Sequence, residues 1–250
     1  LTLGKSHAPA VSPAAAIKAI HDGALLLDVR PPARFAAGHL PGAYNTPLAS
    51  PNFEQWVGWL TPPTAPLLLL AEHEADYDLA LHKLAFLGLD QRVQGVVQGG
   101  NRALAALHRP LRRLRQLRVH QARERHVRRS HRRPLHILDV REQAEWDGGH
   151  IDNAHHVSLK ELAERMGQLP FAQSDPVAVV CASGVRSSLA ASMLLHHGYQ
   201  QAYSVAGGMN AWREADLPVV ECADGEACAI AHRRPKPLRP TERPAPAAAR

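Results

Sequence analysis

The sequence has little of what membrane proteins and disulfide-rich secreted proteins need. No run of 18 or more apolar residues occurs in the 250-residue chain, so we expect no membrane-spanning segment. The first residues lack both the apolar core of a signal peptide and an initiator methionine, and we expect a fragment of a longer chain. Three cysteines are too few for a disulfide framework. A free thiol fits a reducing compartment, which predicts a cytoplasmic protein.

The net charge of +6 is concentrated in two segments. Residues 108–133 contain eleven Arg and one Glu, and residues 232–250 contain five Arg, one Lys and one Glu. The remainder of the chain is therefore acidic. Because no aromatic residues separate the arginines of the first segment, we do not expect nucleic-acid binding there. A solvated linker, or a local reading-frame error, explains that segment better.

One stretch combines a strand, a thiol and the start of a helix. Residues 177–180 are an apolar, β-branched run, which is typical of a strand buried on both faces of a parallel sheet. Apolar residues at helical spacing follow, so we expect a helix to begin near Ser187 or Ser188, with either serine as its cap. Cys181 lies between the two, at the carboxyl end of the strand, where sites in α/β sheets are found.

The loop after Cys181 has the composition of an anion site. A helix N-terminus and a nearby guanidinium both favour a thiolate, and the arginine of the loop presents a fork of donors suited to an oxyanion. Backbone amides of a tight turn can converge on an anion as well. We therefore predict Cys181 as the nucleophile, with substrate bound by Ala182, Ser183, Gly184, Val185 and Arg186. The alternative is an inert cysteine buried at a strand end.

An internal repeat predicts two copies of one α/β domain. Leu-Leu-Asp-Val-Arg at 26–30 recurs as Ile-Leu-Asp-Val-Arg at 137–141, and residues 34–43 recur as residues 145–154 around a Gly-His pair. Both pairs are separated by 111 positions. Two copies of about 100 residues each, with loop deletions between them, account for this pattern.

The first copy lacks the chemistry of the second. Ala71 occupies the position that matches Cys181, and the loop after it carries acids in place of glycine and arginine. An anion would be repelled there, so we predict an inactive copy that serves for scaffolding, docking or regulation. The polar residues of this loop are Glu72, His73, Glu74 and Asp76. Their tight spacing favours a solvated charge run over a metal site.

The motif Cys-Ala-Ser-Gly-Val-Arg-Ser-Ser at 181–188 resembles the active loop of rhodanese-type sulfurtransferases. The Asp-Val-Arg and Gly-His segments of both copies resemble further signatures of that family, and the resemblance covers about 200 residues. Cysteine phosphatases of related fold carry one more residue between Cys and Arg. The loop length therefore favours sulfur transfer over a phosphatase or an arsenate reductase. The implied fold is α/β, with two tandem rhodanese-like domains, each a parallel sheet flanked by helices.

This resemblance also divides the chain into four parts. We expect a rhodanese-like domain without the catalytic cysteine at 1–107, a basic linker with a degenerate opening helix at 108–133, a catalytic domain at 134–221, and a disordered tail at 222–250. Cys222 and Cys228 are expected to be free thiols of that tail, and a role in resolving a persulfide is the alternative.

The function implied by the resemblance is sulfur transfer. Cys181 would take sulfane sulfur from thiosulfate or a persulfide, become a persulfide itself, and pass the sulfur to cyanide or a thiol. No metal or organic cofactor is implied. Asp139, Arg141 and His150 would support the site by pairing with the backbone and with each other, and they would take no direct part in catalysis.

A narrower resemblance concerns residues 52–60 and the Pro-rich turns after them. This region is similar to the paired rhodanese region that follows a metallo-β-lactamase-fold domain in some bacterial sulfur-metabolism proteins. The metal motif of that domain, His-x-His-x-Asp-His, does not occur in this sequence. Such a partner domain would therefore precede Leu1. The alternative function is a non-catalytic docking or regulatory pair in a larger metallo-hydrolase of sulfur metabolism.

Overall fold

The computed structural model describes residues 8–97, 99–105, 111–127 and 134–221. Its first unit consists of short parallel strands that alternate with helices. In chain order its elements are α1 (Pro13–His21), β1 (Leu25–Asp28), α2 (Pro32–Ala37), β2 (Tyr44–Asn45), α3 (Phe53–Leu60), β3 (Leu67–Leu70), α4 (Glu74–Ala85), a 3-10 turn (Asp90–Arg92), β4 (Val93–Val97) and α5 (Gly100–Ala105).

The second unit repeats this alternation. Its elements are β5 (Arg115–Leu117), α6 (Val119–Val127), β6 (His136–Asp139), α7 (Gln143–Asp147), β7 (His155–His156), α8 (Leu159–Arg165), a 3-10 turn (Met166–Gln168), β8 (Pro176–Val180), α9 (Val185–His196), β9 (Gln201–Val205) and α10 (Gly208–Glu214). Every residue of β8 is buried, as predicted from its continuous apolar sequence.

The two sheets share one strand order. The first sheet runs β2-β1-β3-β4 and the second runs β5-β9-β8-β6-β7, and all the pairings are parallel. Ala10 forms a parallel bridge with Val96 of β4, in the place that β5 occupies beside β9. Strands β3 and β8 are therefore equivalent, and the loops after them, at Ala71 and Cys181, occupy equivalent positions. The predicted α/β class, with two parallel sheets flanked by helices, is confirmed.

The segment predicted as a basic linker contributes to both units. Arg112 forms an antiparallel bridge with His39 of the first unit, while β5 joins the edge of the second sheet. Sequence reasoning did not predict β5, because only one of its three residues is apolar and the flanking segment is rich in arginine. The guanidinium of Arg115 lies 5.2 Å from the ring centroid of Tyr203, so cation–π attraction stabilises it there. Because β5 is an edge strand, its charged side chain is also tolerated in the sheet.

Helix α6 is the opening helix of the second unit. It buries Val119 and Ala122, and His126 bonds the carbonyl oxygens of Leu135 and Asp152 at 2.9 and 2.8 Å. Polar contacts thus hold a helix that has few apolar residues. Residues 128–133 and 222–250 lie outside the described residues, and with them the predicted tail, Cys222 and Cys228.

The two units are joined by polar contacts as well as by a shared apolar core. Asn45, on edge strand β2 of the first unit, accepts a hydrogen bond from Ser188 Oγ at 2.6 Å, and its backbone N–H donates to Ser192 Oγ at 3.1 Å. Both serines are on α9, the helix that follows the Cys181 loop. The side-chain amide of Asn45 also donates to the carbonyl oxygens of Asp28 and Arg30 at 3.0 and 2.9 Å. The first unit therefore anchors the helix that begins at the candidate site.

Candidate active site

Cys181 is positioned by the end of β8 and the start of α9. The helix begins at Val185, and Gly184 precedes it with a φ of 98°, in the left-handed region that favours glycine. The predicted start at Ser187 or Ser188 is wrong, because this glycine turn lets the helix begin earlier. Neither serine caps the helix, since Ser188 bonds the first unit and Ser187 bonds Ser204 Oγ at 2.8 Å.

Two backbone amides point at the Cys181 sulfur. The N–H groups of Gly184 and Ser187 donate to Sγ at 3.1 and 3.3 Å, and Ser187 Oγ lies 3.6 Å from it. Hydrogen bonds of this kind stabilise a thiolate more than a thiol. Ser187 was not among the predicted binding residues, because its contribution is a backbone group that sequence does not reveal. Cys181 is fully buried.

A glycine of the next helix holds the loop from the other side. The backbone N–H groups of Met209 and Asn210 donate to the carbonyl oxygens of Cys181 and Ala182 at 2.7 and 2.9 Å. A Cβ atom added at Gly208 would lie 2.1 Å from the Cys181 carbonyl oxygen. Any side chain would clash at this position, so it requires glycine. The conformation of the loop therefore depends on this close backbone approach.

The Arg186 guanidinium is held by a carboxylate. Its Nη1 and Nη2 donate to Oε2 and Oε1 of Glu145 at 2.6 and 2.7 Å, a bidentate pair between the loop and α7. These hydrogen bonds raise the pKa of Arg186 above its ordinary value and lower that of Glu145. Sequence reasoning placed Arg186 at the site but missed Glu145, which is 41 positions away. The internal repeat included Glu145 only as one residue of segment 145–154, which matches segment 34–43.

The predicted supporting residues hold the segment that carries Glu145. Arg141 Nε and Nη2 donate to the two carboxylate oxygens of buried Asp139 at 2.9 and 2.7 Å. Its Nη1 donates to the backbone oxygen of Glu145 at 2.8 Å. The His150 ring stacks on Trp146 at 3.6 Å between centroids, and burial lowers the pKa of His150. These contacts fix the backbone around α7. None of the hydrogen bonds made by the side chains of Asp139, Arg141 and His150 goes to Cys181 Sγ.

A cleft of about 950 Å³ lies between the two units, at the carboxyl ends of their central strands. From the second unit it is lined by the predicted residues Ser183, Val185 and Arg186, and Cys181 lies beneath them. Ala182 is half-buried and Gly184 buried within the loop. The carboxylates that line the cleft are Glu72, Asp76, Glu142 and Glu145. Carboxylates therefore line the cleft from both units, together with the guanidinium groups of Arg30, Arg34 and Arg186.

The polar loop of the first unit serves its own helix. Asp76 Oδ2 accepts a hydrogen bond from the His73 backbone N–H at 3.2 Å, as part of a capping box at the start of α4. Over the described ranges, no group of three or more His, Cys, Asp or Glu side chains is arranged to hold a metal ion. Within the same ranges, no helix combines the length and apolar character needed to cross a bilayer.

Comparison with known proteins identifies one family. The family described as "Rhodanese-like domain" matches residues 12–114 and 122–215. Thiosulfate sulfurtransferase GlpE of Vibrio cholerae is 37% identical over 84 residues, covering 34% of this chain and 77% of that protein. GlpE of Shewanella oneidensis is 37% identical over 82 residues, covering 33% and 79%. The crystal structure of a rhodanese-related protein from Thermoplasma volcanium is 31% identical, with a TM-score of 0.38, covering 42% of this chain and 97% of that one.

Proposed function

The chain belongs to the rhodanese-like family, and from this membership we propose that it is a sulfurtransferase that carries sulfane sulfur on Cys181. The observation that supports the proposal most is the pair of backbone amides directed at Sγ from Gly184 and Ser187. They offer hydrogen bonds both to a thiolate and to the sulfur anion of a persulfide. A cysteine that served packing alone would not need them.

The proposed reaction has two half-reactions. The Cys181 thiolate attacks the outer sulfur of thiosulfate, a new S–S bond forms, and the donor's S–S bond breaks so that sulfite leaves with the electron pair. A thiolate or cyanide then attacks the outer sulfur of the Cys181 persulfide, and the Cys181 thiolate is regenerated. A persulfide serves as donor in the same way, with a thiol as the leaving group. Covalent storage between the two steps gives ping-pong kinetics.

Five residues at and after the loop have a role in this proposal. The amides of Gly184 and Ser187 stabilise the sulfur anion, and Ser183, Val185 and Arg186 line the cleft that admits the donor. Arg186 already donates two of its five guanidinium N–H groups to Glu145, and an anionic donor would be contacted by the N–H groups that remain. A free thiol of this kind works in a reducing environment, so we assign the reaction to the cytoplasm.

Mass spectrometry of the thiosulfate-treated protein tests the proposal. We expect one added sulfur on Cys181 and its loss on treatment with cyanide or glutathione. A Cys181→Ser variant should take up no sulfur, and the label should not appear on Cys222 or Cys228. Absence of any label at Cys181 would contradict catalysis and favour a docking or regulatory pair. Turnover of an aryl phosphate in place of thiosulfate would instead indicate a phosphatase.

A further inference from the structure

The pair formed by Glu145 and Arg186 occupies the cation that an anionic donor would use. Both guanidinium Nη atoms bond to the two carboxylate oxygens at 2.6 and 2.7 Å, and the pair is partly buried, with side-chain exposures of 18% for Arg186 and 35% for Glu145. Both side chains line the cleft. Partial burial strengthens such a pair relative to one in open water. A donor with negative charge therefore meets a guanidinium whose charge is already balanced by a carboxylate and which has two of its five N–H groups in use.

The other charges that line the cleft add to this effect. Glu72 and Asp76 line it from the first unit, and Glu142 lines it one turn before Glu145. Two further arginines line the cleft from the first unit. Arg30 is bonded to buried Asp28 at 2.6 Å, and Arg34 lies on the exposed rim. Carboxylates thus outnumber the guanidinium groups that a donor could reach near the loop.

We propose that Glu145 is a specificity-determining residue, which by pairing with Arg186 selects against dianionic sulfur donors and in favour of donors with at most one negative charge. The inference rests on the proposed sulfurtransferase function and names the donor class of that site. The carboxylate leaves Arg186 able to position a singly charged or neutral donor through weaker contacts. It makes the binding of thiosulfate, with two negative charges, costly by repulsion.

Two donors that differ in little but charge make this testable. Thiosulfate is dianionic, and methanethiosulfonate replaces one of its oxygens by a methyl group and carries a single negative charge. Both deliver their outer sulfur to the Cys181 thiolate with cleavage of one S–S bond. Sulfite leaves from thiosulfate and methanesulfinate leaves from methanethiosulfonate, each with the bonding electron pair. The two reactions need no oxidant or reductant and have the same persulfide as product.

The Glu145→Gln variant removes the charge and preserves the local structure. Glu145 Oε2 accepts the backbone N–H of Glu142 at 3.1 Å within the capping box of α7, and the amide oxygen of glutamine can keep that bond. The hydrogen bond from Arg141 goes to the Glu145 backbone, which the substitution leaves in place. Glu142→Gln is the matched control, because it removes the same charge from the same cleft without a direct contact to Arg186.

The measurement is kcat and KM of full-length wild type and variants with each donor, together with labelling of Cys181. In E145Q we expect the KM for thiosulfate to fall about tenfold, the gain of one charge-assisted hydrogen bond. The KM for methanethiosulfonate should fall by less than that for thiosulfate, because its single negative charge is repelled less by Glu145 in the wild type. E142Q should change the preference between donors by about twofold or less, because a more distant charge is screened. Glu145→Asp keeps the charge but withdraws it from Arg186, so its preference should lie between wild type and E145Q.

Several outcomes would overturn the assignment. An unchanged preference in folded E145Q or E145D would show that the pair does not select the donor. An equal change in E142Q would assign the effect to the general charge of the cleft. A fall in kcat with both donors in E145Q would indicate a structural role only. If neither donor labels Cys181 in wild type or E145Q, the sulfurtransferase proposal itself fails, whereas labelling by both with equal preference refutes the inference alone.

Discussion

The two units keep the same scaffold and differ at the loop where chemistry would occur. Each unit buries an Asp-x-Arg pair at the end of its first central strand, Asp28 with Arg30 and Asp139 with Arg141. At the loop, the residue matching the Cys181 thiol is an alanine, Ala71, which is buried in the same way. Scaffold positions and site positions can therefore be separated within one chain.

The charges of the site are reversed between the units. The positions that hold Glu145 and Arg186 in the second unit hold Arg34 and Asp76 in the first, in the two repeat alignments offset by 111 and 110 residues. Both Arg34 and Asp76 line the shared cleft. An acid at the start of α4 suits that helix, since negative charge is stabilised at a helix N-terminus. The first loop therefore supports a helix where the second presents amides to a sulfur.

The largest expected effect comes from moving the thiol between the units. Cys181→Ser should reduce sulfur transfer below detection, because a serine hydroxyl is a poor acceptor of sulfur. Adding Ala71→Cys to that variant should restore nothing, since Glu72, Glu74 and Asp76 disfavour a thiolate and repel thiosulfate. Thiosulfate–cyanide transferase activity and persulfide labelling measure this. Recovery of turnover in the double variant would show that loop charge matters less than the thiol alone.

A smaller effect is expected from the glycines that contact the two loops. Gly208 and Gly100 have φ values of 55° and 44°, so alanine is strained by about 1–2 kcal/mol at either position. In Gly208→Ala the new Cβ also meets the Cys181 carbonyl oxygen, which should bring the total loss of unfolding free energy to about 3–4 kcal/mol, with transfer activity falling as well.

Gly100→Ala is the matched control for this backbone strain. Its Cβ would lie 2.8 Å from Glu72 Oε2 and 3.0 Å from Glu72 Cα, in the loop that has no thiol, so stability should fall while activity is retained. Urea denaturation and transfer kinetics on both variants make the comparison. Equal losses of activity would mean that the approach of Gly208 to the Cys181 loop is not special.

Arg186→Ala should weaken the use of thiosulfate by about 10–150-fold in kcat/KM, since a hydrogen bond to a charged group contributes about 1.5–3 kcal/mol. The unpaired Glu145 carboxylate left in the cleft adds repulsion to this loss. The corresponding change in the first unit, Asp76→Ala, removes a helix cap and should cost about 1 kcal/mol of stability without lowering kcat/KM. Unchanged kinetics in Arg186→Ala would remove this residue from the site.

The smallest effect concerns the equivalent histidines of the two units. Burial lowers the pKa of His39 to about 4, below its value of about 6.5 in an unfolded chain. The unfolded state therefore binds the proton more readily, and stability is lost as the pH falls from about 6.5 toward 4. We expect His39→Gln to remove about 1 kcal/mol of the stability difference between pH 7.5 and pH 5.5.

His150 has a pKa lowered in the same direction by burial, and its ring is less buried than that of His39. His150→Gln should therefore remove less of the pH dependence. Denaturant titrations at the two pH values measure both variants. A larger effect at His150 than at His39 would contradict this order.

The sequence alone predicted the repeat, the sheet class and the position of Cys181, because these depend on local patterns. The buried strand before Cys181 follows from its continuous apolar run, and the inactivity expected of the first loop follows from its composition. The contacts that complete the site could not be predicted in this way. Glu145 meets Arg186 across 41 residues, and Asn45 meets Ser188 across 143. Such pairings depend on how the elements are packed, which periodicity does not encode.

The basic segment shows a second limit of sequence patterns. Strand β5 has arginine at Arg115, and α6 has two buried apolar residues, so neither matched the usual amphipathic template. Strand β5 and helix α6 nevertheless pack at the edge of the sheet, because the Tyr203 ring attracts an arginine from each. Its centroid lies 5.2 Å from the guanidinium of Arg115 and 4.7 Å from that of Arg125. A cation–π contact of this kind replaces part of the apolar burial that the template requires.

The bonds from Asn45 to α9 have a consequence for how this chain can change over generations. After a duplication, a copy that has lost its thiol is ordinarily free to decay or be deleted. Here the thiol-free copy supplies the edge strand that is hydrogen-bonded to α9 of the second copy, through Ser188 and Ser192. Deleting it would expose buried polar groups and apolar surface of the second unit. We therefore expect substitutions at Asn45 to disturb the candidate site around Cys181, although the unit they fall in has alanine, Ala71, at the position of that thiol.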